Sequence, residues 1–393
     1  MKHRVCSMLA ATTLLVVAGC DAEEPEAAPL EVYVAGLSGG ACGDASNPTP
    51  GASPFSDLNQ VTVSVKGEDA SGQYTTLAKA TRKLGGQSLT LPDVPEGEDR
   101  EVIVYGEGTD HAWYARDTGV TIVRSTSNQV DLLLAPHGDF ACVEETSNAY
   151  PNVVFPATVE LGDGRVLITG GFTRVLEKSG KSYLEGPTDA AAIFDPRTGA
   201  LKSIAPMGDS EGRAGHAMVF IPSNTGLDKG KVLIVGGLDQ MEVDTSAPFP
   251  FIHKEADGRN DYLLFDVSTE QFIEGNDVMD KKRGFPRAHL MADRTVVITG
   301  GGEWPNTGGS YKEVEVFDPE AGEELCPEDA PADCVDVVRG AFLQVSGFSA
   351  FWPRSGHSLT FLQFTPEGLT QLLMWGGASA ENSDQVVAEV ITQ

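Results

Sequence analysis

The chain reads as all-β, and three observations lead there. An aliphatic run enters a Gly-Gly pair four times, at Val166-Leu167-Ile168-Thr169-Gly170-Gly171, Val232-Leu233-Ile234-Val235-Gly236-Gly237, Val296-Val297-Ile298-Thr299-Gly300-Gly301 and Leu372-Leu373-Met374-Trp375-Gly376-Gly377. The first glycines stand 66, 64 and 76 residues apart. That spacing marks one supersecondary unit used repeatedly, each copy burying a face the others leave open. Next, 44 glycines and 23 prolines, with few runs at helical spacing, favour short strands and tight turns. Finally, 393 residues at 41% hydrophobic and 22% charged suffice for full cores in two or three domains.

Taken in order, the first residues point to export. Lys2 and Arg4 precede an apolar run from Met8 to Ala18, which stops at Val17-Ala18-Gly19-Cys20 before an acidic, proline-containing stretch from Asp21 to Pro29. A basic start, a short apolar core and small residues make a secretory signal. The run is shorter than the ~20 residues of a spanning helix. Its ending resembles the lipobox of bacterial lipoproteins. The resemblance implies a signal peptide over 1–19, lipid modification of Cys20, an acidic tether over 20–29, and a place in the bacterial cell envelope, periplasmic or at the outer surface. Export implies an oxidising compartment, so Cys42, Cys142, Cys326 and Cys334 can form disulfides. Of the three connectivities, the local pair Cys326 with Cys334, around the loop Pro327 to Asp333, leaves Cys42 with Cys142. No Cys-x-x-Cys spacing occurs, so no zinc or redox site is expected. A formal charge of −29 repels phosphate and argues against nucleic acid as a partner.

Residues 30–136 read as a β-sandwich. Strand-like stretches run over Glu31 to Ala35, Gln60 to Lys66, Tyr74 to Lys79, Ser88 to Leu91, Glu101 to Tyr105, Trp113 to Arg116, Val120 to Val123 and Val130 to Leu134. Turn residues separate them at short intervals. The segment Leu91-Pro92-Asp93-Val94-Pro95-Glu96-Gly97 resembles turns of immunoglobulin-like and transthyretin-like modules, and Gly36 to Pro54 reads as a surface loop.

Over 137–393 the repeat takes over. Each of the first three Gly-Gly pairs is followed by a strand ending in Phe-Asp, at Phe194-Asp195, Phe265-Asp266 and Phe317-Asp318. In Asp195-Pro196 to Gly199 and Asp318-Pro319 to Gly322 the aspartate can accept a backbone hydrogen bond while proline presets φ, which closes a tight hairpin. Upstream come Arg213-Ala214-Gly215-His216, Arg287-Ala288-His289 with one residue fewer, and Arg354-Ser355-Gly356-His357. Together these elements resemble the kelch repeat from about residue 150 to 393, which implies a β-propeller of four-stranded blades. There are departures. The usual aromatic after the Asp is Leu201, Phe272 and Glu324, and aligning Phe155-Pro156 with Phe285-Pro286 sets Val159 against His289. Four units can be counted, the last ending near Val386 to Ile391, with its fourth strand available from Asp139 to Val143. Blade number stays at four or five: a degenerate blade between Val335 and Ser349, a small ring, or an open arc closed by a partner.

Several short motifs dissolve in context. Gly208-Asp209-Ser210-Glu211-Gly212 matches a nucleophile elbow, but no helix signal follows it. Gly180-Lys181-Ser182 has Val175 where a phosphate loop needs glycine. The acids Glu328, Asp329, Asp333 and Asp336 lack an EF-hand pattern. His216, His289 and His357 share one repeat position, which suits packing or hydrogen bonding between blades. Arg213, Arg287 and Arg354 either grip a carboxylate or phosphate as a ring of forks or pair with nearby acids. The long stretches Phe172 to Asp189 and Leu238 to Asp261 exceed a hairpin's needs and read as loops that carry function. Phe249, Phe251 and His253 on the second, and Trp304 on the third such loop, suit contact with protein or sugar, or else fold back over the blades.

The function expected is non-catalytic: a lipid-anchored envelope protein that presents a propeller to a protein or glycan, with no cofactor and no metal. The competing class is a sugar-active enzyme, isomerase- or mutarotase-like, working in the central pocket. Galactose oxidase shares the fold, but its copper chemistry needs a cysteine beside a tyrosine, and the cysteines here look committed to pairs. A decayed propeller without activity is the third reading.

Overall fold

The structure is a computed structural model that describes residues 27–36, 38–39, 54–83, 88–109, 111–124, 127–138, 141–142, 149–178, 181–208, 211–224, 229–243, 256–303, 309–321, 323–324, 337–338, 340–343, 349–364, 370–377 and 388–392. They fall into two compact units, Met1–Ala141 and Cys142–Gln393.

In the first unit, alternation of apolar and polar residues sets the strands. Leu30, Val32 and Val34 point inward from Ala27–Gly36, as do Val61, Val63 and Val65 from Gln60–Glu68. Seven strands form one sheet in the order Tyr74–Lys83, Gln60–Glu68, Gly97–Glu107, Ala112–Ile122, Asn128–Pro136, Ala27–Gly36, Ser88–Pro95. The predicted stretches Trp113 to Arg116 and Val120 to Val123 thus belong to one strand. The pairing of Ala27–Gly36 with Asn128–Pro136 is parallel. The sheet curls until its two edge strands meet, so its halves face each other across one core, as the layers of a sandwich do. Trp113 lies fully buried in that core, and its Nε1 donates to Asp57 Oδ2 at 2.8 Å, which satisfies the indole's one polar atom.

The second unit repeats an antiparallel blade. The first comprises Ala157–Glu160, Val166–Thr169, Ala191–Asp195 and Ala200–Ser203. The second comprises Ala217–Ile221, Lys231–Val235, Tyr262–Asp266 and Gln271–Glu274, and the third Arg287–Leu290, Val296–Thr299, Glu315–Asp318 and Ala341–Leu343. The fourth shows three strands among the described residues, Ser358–Phe364, Thr370–Trp375 and Ala388–Thr392. The first strands of successive blades lie side by side, which is the propeller arrangement. Each seam is apolar. Leu167 and Ile193 meet Ile234 and Phe265, Leu233 and Val235 meet Ile298 and Phe317, and Val297 and Val316 meet Leu372 and Met374. The turn after Phe194-Asp195 closes as expected: Gly199 N–H donates to Asp195 O at 2.8 Å, with Gly199 at φ 71°, while Gly322 of the other Asp-Pro turn lies outside the described residues.

Three expectations change. The stretch from Val335 to Ser349 is not a further blade: Ala341–Leu343 is the outer strand of the third blade, and Phe342 fills the aromatic position assigned to Glu324. Glu323–Glu324 instead pairs with Val337–Val338 in a side hairpin. Ala141–Cys142 pairs with Ser38–Gly39 and does not complete the sheet of Ala388–Thr392.

Among the described residues, the long stretches after Gly-Gly are mostly strand rather than loop. Phe172–Lys178, Lys181–Pro187, Leu238–Val243 and Ala256–Gly258 form a four-stranded sheet, and Gly302–Glu303, Gly309–Glu313 and Ser349–Arg354 form a three-stranded one. This second tier crosses the seams. Lys181–Pro187 from the first blade pairs with Leu238–Val243 from the second, and Gly309–Glu313 from the third pairs with the lead-in to the fourth.

Candidate functional site

The repeated arginines sit at the seams, and their register differs from the predicted one. Arg213, Arg283 and Arg354 are equivalent: the backbone carbonyl of each accepts the N–H of the second glycine of the preceding blade, Gly171, Gly237 and Gly301, at 2.9, 2.8 and 2.8 Å. Arg287 is four residues further on, exposed on the first strand of its blade, with Nε donating to His357 O at 2.7 Å. The same carbonyls explain the first glycines. A Cβ on Gly170, Gly236 or Gly300 would lie 2.2, 2.6 or 2.4 Å from Arg213 O, Arg283 O or Arg354 O, at φ of 68°, 68° and 59°.

The guanidinium groups turn into their own blades. Arg213 donates to Gly236 O at 3.2 Å and to Asp261 Oδ2 at 2.8 Å. Arg283 donates to Gly300 O at 2.5 Å, Glu313 O at 2.8 Å and Glu315 Oε1 at 2.9 Å, and Arg354 to Gly376 O at 3.1 Å and to Glu389. All three are buried, so Arg213 and Arg354 are fasteners, not the solvent-facing forks that could hold an anion. Burial alone would raise the Asp261 carboxyl, but Arg259 and Arg213 hold it down at about 2. The first blade has no such arginine. Val153 packs in its place against Gly171, and Tyr150 Oη donates to Gly170 O at 2.6 Å, with burial raising the phenol above its ordinary pKa.

Two of the three histidines share a position. His216 Nε2 bonds Thr169 Oγ1 of the first blade and His357 Nε2 bonds Thr299 Oγ1 of the third, each at 2.8 Å. Burial, then the neighbouring arginines, pushes both imidazoles down to about 3, which keeps them neutral. His289 is elsewhere. The position equivalent to His216, three residues after Arg283, is Pro286, which lies against Gly236, and the residue before that glycine is Val235 where the other seams have Thr169 or Thr299. His289 lies inside the first strand of its blade, stacked 6.5 Å from Phe361 at 12°.

One residue earlier runs a girdle of positive φ: Phe155 at 60°, Gly215 at 59°, Phe285 at 52° and Gly356 at 65°. These four are chained by backbone bonds. Gly215 N–H donates to Phe155 O at 3.0 Å, Phe285 N–H to Gly215 O at 2.8 Å, and Gly356 N–H to Phe285 O at 3.3 Å. A phenylalanine at such φ costs about 1–3 kcal/mol. The edge-to-face contact of Phe155 with Phe285, 5.1 Å between centroids, offsets part of it. Sequence reasoning missed Arg283 and this girdle. The signal was the Phe155-Pro156 to Phe285-Pro286 alignment, which puts proline in the histidine register and Arg283 three residues before it.

The second tier rises from the same end, since Phe172, Leu238 and Gly302 bridge Val154, Ala214 and Gly284 beside the girdle. Phe249, Phe251, His253 and Trp304 lie outside the described residues, as do Cys20, Cys42, Cys326, Cys334 and the side chain of Cys142. In chain order, 244–255 lies between two strands of the four-stranded sheet, and 304–308 between two strands of the three-stranded one. Elsewhere a cleft of ≈ 280 Å³ between the second and third blades is lined by Ile221, Asn224, Leu264, Arg294 and Glu320. Its main polar groups serve each other, with Glu320 accepting from Arg294 at 3.0 Å and Asn224 at 2.7 Å. Among the described residues no three His, Cys, Asp or Glu side chains gather as a metal ion would need.

No protein-family model matches the chain, and no curated protein matches it. Among solved structures it is similar to a fungal alcohol oxidase of the AA5 family in complex with copper, at 12% identity and a TM-score of 0.38, over 86% of this chain and 73% of that one. It is also similar to YjhT, at 12% identity and a TM-score of 0.30, over 80% of this chain and 98% of that one.

Proposed function

We propose that this chain is a bacterial envelope protein, anchored through acyl chains on Cys20, that uses its blade array without catalysis to bind a protein or a glycan. The second tier carries the reading. Strands inserted after the first three Gly-Gly pairs form sheets that hydrogen-bond across the first-second and third-fourth seams, and the 244–255 and 304–308 segments attach to those strands. Those segments bring Phe249, Phe251, His253 and Trp304, residue types suited to stacking on sugar rings or anchoring a protein contact. The buried arginines Arg213 and Arg283, by contrast, are engaged within their own blades, and His216 and His357 bond across the seams.

The test is a glycan and surface-protein binding screen on the full chain carrying Cys20→Ser, repeated with 244–255 replaced by a short Gly-Ser turn. Leu238–Val243 and Ala256–Gly258 must stay, because their removal would damage the tier itself. Binding by the first protein and at least a tenfold loss in the second are expected. No ligand in either library overturns the reading, and binding that survives shortening overturns the site.

A further inference from the structure

Each seam has two faces, a front face on one blade and a rear face on the next. Three fronts and three rears are mated within the chain. Among the described residues, the front of the fourth blade and the rear of the first join no such seam. On the fourth blade Trp375 and Val390 are 53% and 55% exposed, whereas Thr169, Val235 and Thr299, which precede the Gly-Gly of the other blades as Trp375 does, are buried. On the rear of the first blade Val166, Ile168 and Phe194 are only partly buried, while their equivalents Val232, Ile234 and Phe265 on the second and Val296, Ile298 and Phe317 on the third are fully so.

The two open faces fit a register already present. Blades alternate in type: the first and third enter with Phe-Pro and leave with Thr-Gly-Gly, while the second and fourth enter with Gly-His and leave with Val or Trp before Gly-Gly. In the seam from second to third blade, Pro286 lies 3.2 Å from where a Cβ on Gly236, the residue after Val235, would sit, and Gly215 O accepts from Phe285 N–H. Setting a first blade after a fourth repeats that seam, with Pro156 against Gly376, the residue after Trp375, and Gly356 O meeting Phe155 N–H. Strand pairing puts Ser358 and Thr360 in the rows of Trp375 and Leu373, and Thr158 and Glu160 in those of Ile168 and Val166. Both open faces therefore have a polar inner strand and apolar second and third strands.

The stitching across the seams ties each blade to its neighbours, and the exposure of Trp375 and Val390, with the partial exposure of Val166, Ile168 and Phe194, leaves these two faces unmated within one chain. We infer that they meet between two copies, the front of one fourth blade on the rear of the partner's first. The contact is head-to-tail, and made twice it closes the two arcs into one ring of eight blades.

Sedimentation velocity and light scattering of the full chain carrying Cys20→Ser should find a dimer. Trp375→Glu breaks every front and Thr158→Arg every rear. Each substitution is at an exposed position, and each should weaken dimerisation roughly a hundredfold with unchanged circular dichroism. An equimolar mixture of the two variants restores one intact junction, so mixed dimers should form where neither variant alone associates. A monomer at 100 μM, as closure within one chain would give, overturns the inference. So does Trp375→Glu that dimerises like its parent, or a mixture that stays monomeric.

Discussion

The first and third blades share the Phe-Pro entry and the Thr-Gly-Gly exit, yet they are fastened by different chemistry. In the third, Arg283 is fully buried and spans Gly300 O, Glu313 O and Glu315. In the first, Val153 and the Tyr150 hydroxyl hold the same glycine turn, and Ala190, whose carbonyl accepts Gly170 N–H, stands where Asp261 precedes the third strand of the second blade. Arginine and acid are absent together. What the turn requires is a donor to the first glycine's carbonyl, and an ion pair is one way of supplying it. A charge repeated in register can therefore be scaffolding.

The largest effect expected is from breaking the third blade's fastening on one side only. Arg283→Met leaves Glu315 buried without its partner and should cost about 3–5 kcal/mol in urea unfolding. Arg283→Met with Glu315→Ala, which brings the third blade close to the first, should recover most of it. If the double variant is no better than the single, the comparison fails. Next comes acid. Each buried histidine is held near 3 in the fold against 6.5 when unfolded. Between those values the unfolded chain binds a proton the fold refuses, so stability falls as pH falls below 6.5, by about 1.4 kcal/mol per pH unit for each histidine. Asp261, depressed to about 2, adds a loss in the same direction below its ordinary 3.8. Urea midpoints at pH 7.5 and 5 should show the drop, and His216→Gln with His357→Gln should flatten it. Tyr150→Phe removes the first blade's donor and should cost about 1 kcal/mol. Smallest is Arg197→Ala. That pair with Asp195, at 3.0 Å on a turn, is half in water and should move the midpoint by less than about 0.5 kcal/mol.

The parts of this fold legible from sequence are those whose cause is local. Gly170, Gly236 and Gly300 announce themselves because no side chain fits there, and Asp195-Pro196 to Gly199 because its turn closes within five residues. The second tier was illegible because Phe172–Lys178 is mostly exposed and lacks alternating burial, so its pairing is set by partners far along the chain. Arg283 escaped because its meaning lies with Gly300, Glu313 and Glu315, 17 to 32 residues away, and a histidine three positions on is replaced by Pro286. Leu201, Phe272 and Glu324 show the same limit. Counting from the aspartate found Phe272, but an inserted hairpin moved the third blade's aromatic to Phe342.

The girdle also constrains ancestry. A Cβ on Gly215 would lie 2.7 Å from the ring of Phe285, so two phenylalanine-bearing blades cannot stand side by side. Tandem copying of a single Phe-type blade would have produced that collision at once. The heritable unit is then a pair, one blade that supplies the ring and one that makes room for it, and sequence similarity should be higher between alternate blades than between neighbours.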